Sequence, residues 1–327
     1  MRRRIQAAFD RFWDVRDRTD KEIAFLAREL EIDIAIDLNG YTGDERHRIF
    51  AWRAAPIQVN YLGYPGTMGA SFIDYLIADR TLITPADRAY YSEKIVALPD
   101  TYQPTDTMRL IMEQNLSPVE AGLPEDSFIF CCFNNNYKIT PDLFDRWMRI
   151  LGQVEHAVLW LLEDNPRAAA NLRAEAKKRG IAPERLVFAP RTNHSAHLAR
   201  HRLADLFLDT LPYNAHTTAS DALWMGLPVL TQRGASFASR VAASLLNAIE
   251  LPELITGTPA EYEETAIGIA RDPLRLRSIR RQLAHNRQST PLFDVVRFTK
   301  AIEAAYSAMY ERHHAGLPPD HIDVEIT

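Results

Sequence analysis

Several things are scarce in this chain, and each scarcity excludes something. Only two of its 327 residues are cysteines, Cys131 and Cys132, and they are adjacent. Neighbouring cysteines in an apolar run cannot staple a fold. They read as small core residues of a strand in a reducing compartment. No apolar run is long enough to cross a membrane, and Arg2-Arg3-Arg4 has no apolar stretch behind it, so it does not read as a secretory leader. Positive charge is not in excess: the net charge of -5 argues against a general affinity for nucleic acid or an anionic membrane. The expectation is a cytoplasmic protein with neither as a partner. Three phosphate signatures are missing too. There is no G-x-G-x-x-G after a strand and no G-x-x-x-x-G-K-[ST], which leaves dinucleotide oxidoreductases and P-loop enzymes unsupported. There is no D-x-D pair to hold a divalent ion on a diphosphate. A nucleotide bound here would be neutralised by the chain's own cations and helix ends.

What is present is a large apolar fraction, 46%, enough for a sizeable core in one large domain or two ordinary ones. In the second half, "FIFCCF", "AVLWLL", "LVFAP", "DLFLDT" and "PVLT" alternate with amphipathic patterns such as "PDLFDRWMRILGQV" and "PRAAANLRAEAKKRG". That alternation predicts βαβ units and a parallel sheet. Gly180 is placed to close one helix. After Pro252 the chain reads as helical to about His314, and "HHAGLPPDHIDVEIT" as a frayed tail. In the first half, "KEIAFLARELEI" and "RHRIFAWRAA" read as helices. "DIAIDL", "IQVNYL", "YLIAD" and "KIVALP" read as strands. Weak patterning over 106–125 marks a boundary between two α/β domains. Ligands of such sheets sit beyond the carboxyl ends of the strands.

Three polar stretches fall at such ends. "LPYNAHTTASDALWMG" follows "DLFLDT" and opens a helix that Gly226 closes. Thr217 and Thr218 stand at its N-terminus, where backbone N–H groups lack partners and the helix dipole favours an anion. His216 could add a donor, and Asp221, one turn on, suits sugar hydroxyls. A threonine N-cap with a solvent-facing histidine fits the spacing equally. "CCFNNNYKITP" offers Asn134, Asn135, Asn136, Tyr137 and Lys138, or a plain asparagine turn with Thr140 as the next cap. "PRTNHSAHLARHR" spaces His194, His197 and His201 along one helix face. No carboxylate or cysteine lies nearby to complete a metal set, so ligand hydrogen bonding is the better reading than metal. Glu163 and Asp164 read as a solvated turn. In the first half, "DLNGYTGDERHRIF" and "NYLGYPGTMGA" both follow strands, with Gly63, Gly66 and Gly69 permitting close backbone approach.

These motifs occur in one order with "NGYTGD", "RAAPIQVNYLGYPGTMGASFIDYLIAD", "YSEKIVALPDTYQPTD" and "ASRVAASLL". So arranged, the chain closely resembles, over nearly its whole length, the catalytic region of the protein O-linked N-acetylglucosamine transferases, the O-GlcNAc transferase/SPINDLY family. The resemblance implies an α/β GT-B fold, with two Rossmann-like domains facing a cleft. It places an acceptor-side domain in 1–115, a nucleotide-sugar domain in 116–315 and a tail in 316–327. It implies inverting, metal-independent transfer of N-acetylglucosamine from UDP-GlcNAc to Ser or Thr hydroxyls of a protein, with no cofactor. By motif position Lys138 holds the diphosphate, and Asn135 stands where many members carry Gln against the nucleotide. His216, Thr217 and Thr218 match the phosphate-binding "HTT", and Asp221 the ribose anchor. His194, His197 and Arg200 fall at nucleotide-contacting positions. Thr42, Leu62 and Gly63 fall in loops that approach the sugar. No residue is an obvious base; Tyr137, Asp37 and Asp44 are candidates. SPINDLY-type members transfer fucose from a guanine nucleotide. Because His216 precedes the threonines and Tyr137 precedes Lys138, the N-acetylglucosamine branch is expected. Relatives carry tetratricopeptide repeats and a first βα portion upstream. The expectation is therefore an N-terminal sheet lacking strands, with a binding module without turnover, or an epimerase or hydrolase, as alternatives.

Overall fold

A computed structural model describes residues 2–112 and 117–326. The boundary expected at 115–116 lies outside the described residues. The chain divides into two compact units: Met1–Ala78 with Asp87–Ala97 and Glu303–Val324, and Asp79–Ala86 with Leu98–Ile302 and Glu325–Thr327.

The first unit contains helices α1 (Arg2–Ala8), α2 (Asp20–Glu29) and α3 (Arg48–Ala51). Its sheet has the order β1 (Ile34–Asp37), β2 (Ile57–Asn60), β3 (Tyr75–Asp79), β4 (Lys94–Leu98) and β11 (Ile322–Asp323). The β1–β2, β2–β3 and β4–β11 pairings are parallel, and Asp37 and Asn60 are register partners at the carboxyl ends of β1 and β2. The four strands expected from apolar runs are all present. The second expected helix is reduced to α3. It ends because Arg53 turns to φ +54, and the buried Gln58 side chain takes the Ala54 N–H and donates to the Phe50 carbonyl.

The tail is a correction. Instead of fraying, it pairs with the edge of β4. The Val324 N–H donates to Ala97 O at 2.9 Å, the Ile95 N–H donates to His321 Nδ1 at 2.9 Å, and Arg88 holds Asp323 at 2.6 Å. An edge strand leaves backbone groups wanting partners, and a two-residue strand from the far end supplies them. The residues Glu303–Val324, expected with the second domain or as tail, cluster with the first unit.

The second unit carries β5 (Phe128–Cys132), β6 (Ala157–Glu163), β7 (Leu186–Pro190), β8 (Leu206–Leu208), β9 (Val229–Gln232) and β10 (Ile255–Thr256), ordered β10-β9-β8-β5-β6-β7 and parallel throughout. Its helices are α4 (Pro141–Gln153), α5 (Pro166–Lys178), α6 (His194–Arg200), α7 (Thr217–Trp224), α8 (Val241–Ala248), α9 (Pro259–Arg271) and α10 (Pro273–Ser289). Helix α11 (Val295–His314) runs from this unit into the first. The strands are near-continuous apolar runs because helices cover both faces, as parallel sheets require. Trp147, Trp160, Phe130 and Phe207 are fully buried, each stabilising the core by about 1.5–3 kcal/mol through removal of apolar surface from water. Cys131 and Cys132 are free and buried in β5, and burial pushes the Cys132 thiol up to about 12. Gly180 closes α5 at φ +77, the left-handed residue that a Cβ would strain.

The strand order has one consequence for function. The chain moves from β5 outward through β6 and β7, then returns to place β8 on the other side of β5. The reversal point lies between β5 and β8, and their carboxyl-end loops diverge there to leave a crevice for ligands. Those loops are residues 133–140 and 209–216.

Candidate functional site

The first of these loops leaves β5 at Phe133. Asn134 is buried, and its amide donates to Thr210 Oγ1 at 2.8 Å, tying the loop to the neighbouring strand end. The Asn136 N–H and side-chain amide both bind the Asp164 carboxylate beyond β6. Asp164 is therefore an anchor rather than the solvated turn expected from its position. Held at both ends, the 3-10 turn Asn136–Lys138 presents Lys138 toward β8. Its ammonium donates to the Asn214 carbonyl at 2.8 Å and lies 4.0 Å from the centre of the Tyr213 ring. Burial lowers its pKa, and the charge of Asp209 opposes the fall.

The second loop leads into α7. The threonines do not cap this helix. His216 is the N-cap, its side chain makes no capping bond, and Thr217 and Thr218 are the first two helical residues. Among the described residues the Thr217 and Thr218 N–H groups have no hydrogen-bond partner. Thr217 is exposed and Thr218 half-buried. The His216 ring stacks on Tyr213, 4.9 Å between centroids, and its Nε2 lies 3.4 Å from the Ala238 carbonyl. Burial, reinforced by Lys138, pushes the His216 pKa down to about 4. The neutral imidazole has one N–H, and a carbonyl acceptor assigns it to Nε2. Lys138, the His216 ring and the open end of α7 thus meet over Tyr213, with one fixed positive charge and two free amides.

Asp221 lies one turn into α7, as the sequence places it, but it is engaged. Arg109 binds its Oδ1, and His194 Nε2 lies 3.5 Å from its Oδ2. Arg109 also stacks over Trp224, and its Nε and Nη2 are buried without a partner. The sequence reading missed Arg109 because it sits in a stretch without periodicity. Its segment crosses α6 and α7 through two further bonds, Thr105 with Ser220 and the Met112 N–H to the Ser195 carbonyl.

Beyond β7, Asn193 caps α6 by accepting the Ala196 N–H. The three histidines separate. His194 is exposed beside Asp221, while His197 and His201 pack edge-on against Phe133. Burial lowers His197 to about 4 and His201 to about 3. Arg200 is buried, donates to the Pro190 carbonyl at 3.0 Å, and lines a cavity of about 340 Å³ with Trp160, Pro190, Thr192 and Ala196. Asn135 accepts from Arg191 at 3.1 Å at its rim. Tyr137 points to solvent, 74% exposed. Among the described residues no group of three or more His, Cys, Asp or Glu is placed to hold a metal ion, and no helix is long and apolar enough to cross a membrane.

In the first unit, the loops after β1 and β2 interlock. Asp37 Oδ1 accepts the Asn39 and Gly40 N–H groups at 2.9 Å. Thr42 Oγ1 donates to the Asn39 carbonyl at 2.9 Å, and Leu62 takes φ +71. A Cβ at Gly63 would run into the Leu38 and Asn39 carbonyls, so only glycine fits. Of the base candidates in this unit, Asp37 is spent partly on backbone, with Oδ2 buried and unpartnered, while Asp44 is exposed.

The family model described as Glycosyl transferase family 41 matches residues 1–121 and 116–302. A "Probable UDP-N-acetylglucosamine--peptide N-acetylglucosaminyltransferase SEC" of Arabidopsis thaliana is 39% identical over 99% of this chain and 34% of its own length. A SPINDLY protein of Petunia hybrida with the same transferase description is 33% identical over 94% of this chain and 33% of its own length. Among solved structures, the O-GlcNAc transferase mutant K341M of Thermobaculum terrenum superposes with a TM-score of 0.86 at 34% identity, covering 96% of this chain and 60% of that one. The chain thus spans about a third of the length of the curated relatives it matches. Its two parallel sheets are those of the GT-B glycosyltransferase fold.

Proposed function

Because the chain belongs to glycosyl transferase family 41, we propose that it moves N-acetylglucosamine from UDP-GlcNAc to serine or threonine hydroxyls of proteins, with inversion and without a metal ion. The observation that carries this reading is the junction of Lys138, the His216 ring and the uncapped first turn of α7 at the sheet's reversal point. A diphosphate accepts from the Thr217 and Thr218 amides and hydroxyls, and Lys138 supplies the opposing charge. As the glycosidic bond breaks, negative charge grows on the β-phosphate. Fixed donors aimed there stabilise the transition state more than the ground state. His216 joins as a donor to phosphate by taking a second proton at Nδ1, which an adjacent phosphate charge favours. The cavity beside Arg200 takes the base, and Asp221 takes the ribose once Arg109 releases an Asp221 oxygen to accept from it. The donor assignment is supported by the description of the SEC protein, 39% identical to this chain, as a probable UDP-N-acetylglucosamine--peptide transferase.

The test is incubation with labelled UDP-GlcNAc and a bacterial lysate. Label is expected on protein and is lost with Lys138→Ala. Undiminished label in that variant removes the role given to Lys138. Label from GDP-fucose in preference to UDP-GlcNAc removes the donor assignment.

A further inference from the structure

Asp209 follows β8 and is 2% exposed, with no part in the chemistry above. Its carboxylate gathers four donors. Oδ1 accepts the Thr210 N–H at 2.7 Å, the Ala215 N–H at 2.6 Å and, weakly, the Asn134 amide at 3.5 Å; Oδ2 accepts the Thr231 hydroxyl at 2.6 Å. They come from the carboxyl-end loops of β5 and β8, which flank the reversal point, and from β9 beside β8. The bonds to Thr210 and Ala215 close the 209–216 loop on itself. Within that loop, Asn214 donates to the Thr210 carbonyl at 2.7 Å and receives Lys138, and Tyr213 underlies both Lys138 and His216.

We propose that Asp209 is the positioning residue of the phosphate site: its carboxylate closes the 209–216 loop and thereby sets Lys138 against the N-terminus of α7. The inference rests on the reading of Lys138 given above. Structure and charge make separable contributions. The geometry of the loop needs an acceptor at Oδ1, which asparagine also provides. The charge acts on Lys138: its burial disfavours the ammonium, and the Asp209 anion favours it. Burial raises Asp209 itself to about 6, so it is ionised at neutral pH. The other titratable groups facing the pair are Cys132 on β5, Tyr262 on α9, whose hydroxyl donates to the Asp209 carbonyl, and Tyr213 and His216 of the loop. Cys132, pushed up to about 12, Tyr262, raised by burial, and His216, lowered to about 4, keep their neutral forms near pH 7–9.

The experiment measures two properties across pH in the wild type, Asp209→Asn and Asp209→Ala, and the second of them also in Lys138→Ala. One is the acylation of Lys138 by a small reagent, quantified by mass spectrometry. The other is the affinity for UDP. In Asp209→Asn the acylation midpoint moves down by about one pH unit, and UDP binding near pH 9 weakens by about two- to fivefold, with little loss near pH 7. Asp209→Ala loses affinity at every pH because the Thr210 and Ala215 amides are left unsatisfied. A folded Asp209→Asn variant with both profiles unchanged overturns the proposal, even if Asp209→Ala does not fold. Should Lys138→Ala bind UDP like the wild type while Asp209→Asn still shifts acylation, the coupling stands and the phosphate role of Lys138 is what fails.

Discussion

Helices α4 and α7 leave the sheet from neighbouring strands at the same end, yet their first turns are built oppositely. Thr140 caps α4 by accepting the Leu143 N–H, and Pro141 removes another orphan donor. Helix α7 has a histidine at its cap position, no capping side chain and no proline, and its first two amides are free among the described residues. The first helix satisfies its own end; the second leaves it for something else. A fold gains stability from closure and binding capacity from an opening. Lys138, in the loop that leads into α4, donates to Asn214 in the loop that leads into α7, so the positive charge of one loop is held against the other.

Four perturbations break or sharpen that contrast, from the largest effect to the smallest. Lys138→Ala removes the fixed charge facing the open turn and is expected to lower transfer by about 100- to 1,000-fold, measured as label incorporated per minute. Next comes acid. His197, His201 and His216 have folded pKa values of about 4, 3 and 4, below the ordinary value of 6.5. The folded chain therefore binds fewer protons than the unfolded one between those values, and stability is lost as pH falls from about 6.5 toward 4. Thermal melts should show Tm falling through that window, and His201→Gln should flatten the fall while costing stability at neutral pH. Thr217→Ala and Thr218→Ala each remove one neutral hydroxyl donor. UDP affinity should drop by about two- to tenfold in titration calorimetry, with Tm unchanged. Thr140→Ala does the reverse: about 1 kcal/mol of stability is lost, a fall of about 2–4 °C in Tm, with UDP affinity untouched. Equal stability losses at both helix ends would erase the distinction.

Much of this arrangement is legible in the chain. The apolar runs that became strands are buried on both faces, so their signal is continuous, and each polar motif begins where a run ends. Local chemistry also reveals Thr140 and Gly180, because capping and left-handed turns depend on neighbours in sequence. Contacts between distant segments do not show. Asp209 reads as the end of "DLFLDT", and only folding brings Thr231 and Asn134 to it. Arg109 meets Asp221 across 112 positions from a stretch with no pattern. The strand at Ile322–Asp323 is too short to leave a periodic signature, and it forms only because β4 has an edge to fill. The cap of α7 lies one residue before the threonines that the sequence suggests, because the dihedral angles of His216, φ -103 and ψ -95, are not written in its side chain.

In the proposed reaction Lys138 and the open turn of α7 hold a diphosphate. Parallel titrations of uridine and UDP into the wild type and Lys138→Ala test it most directly, because the two ligands differ only in the phosphates. UDP should bind the wild type about 100-fold more tightly than uridine, and Lys138→Ala should lose most of that difference while retaining its affinity for uridine. Equal affinities for the two ligands in the wild type, or a difference that survives in Lys138→Ala, would contradict it.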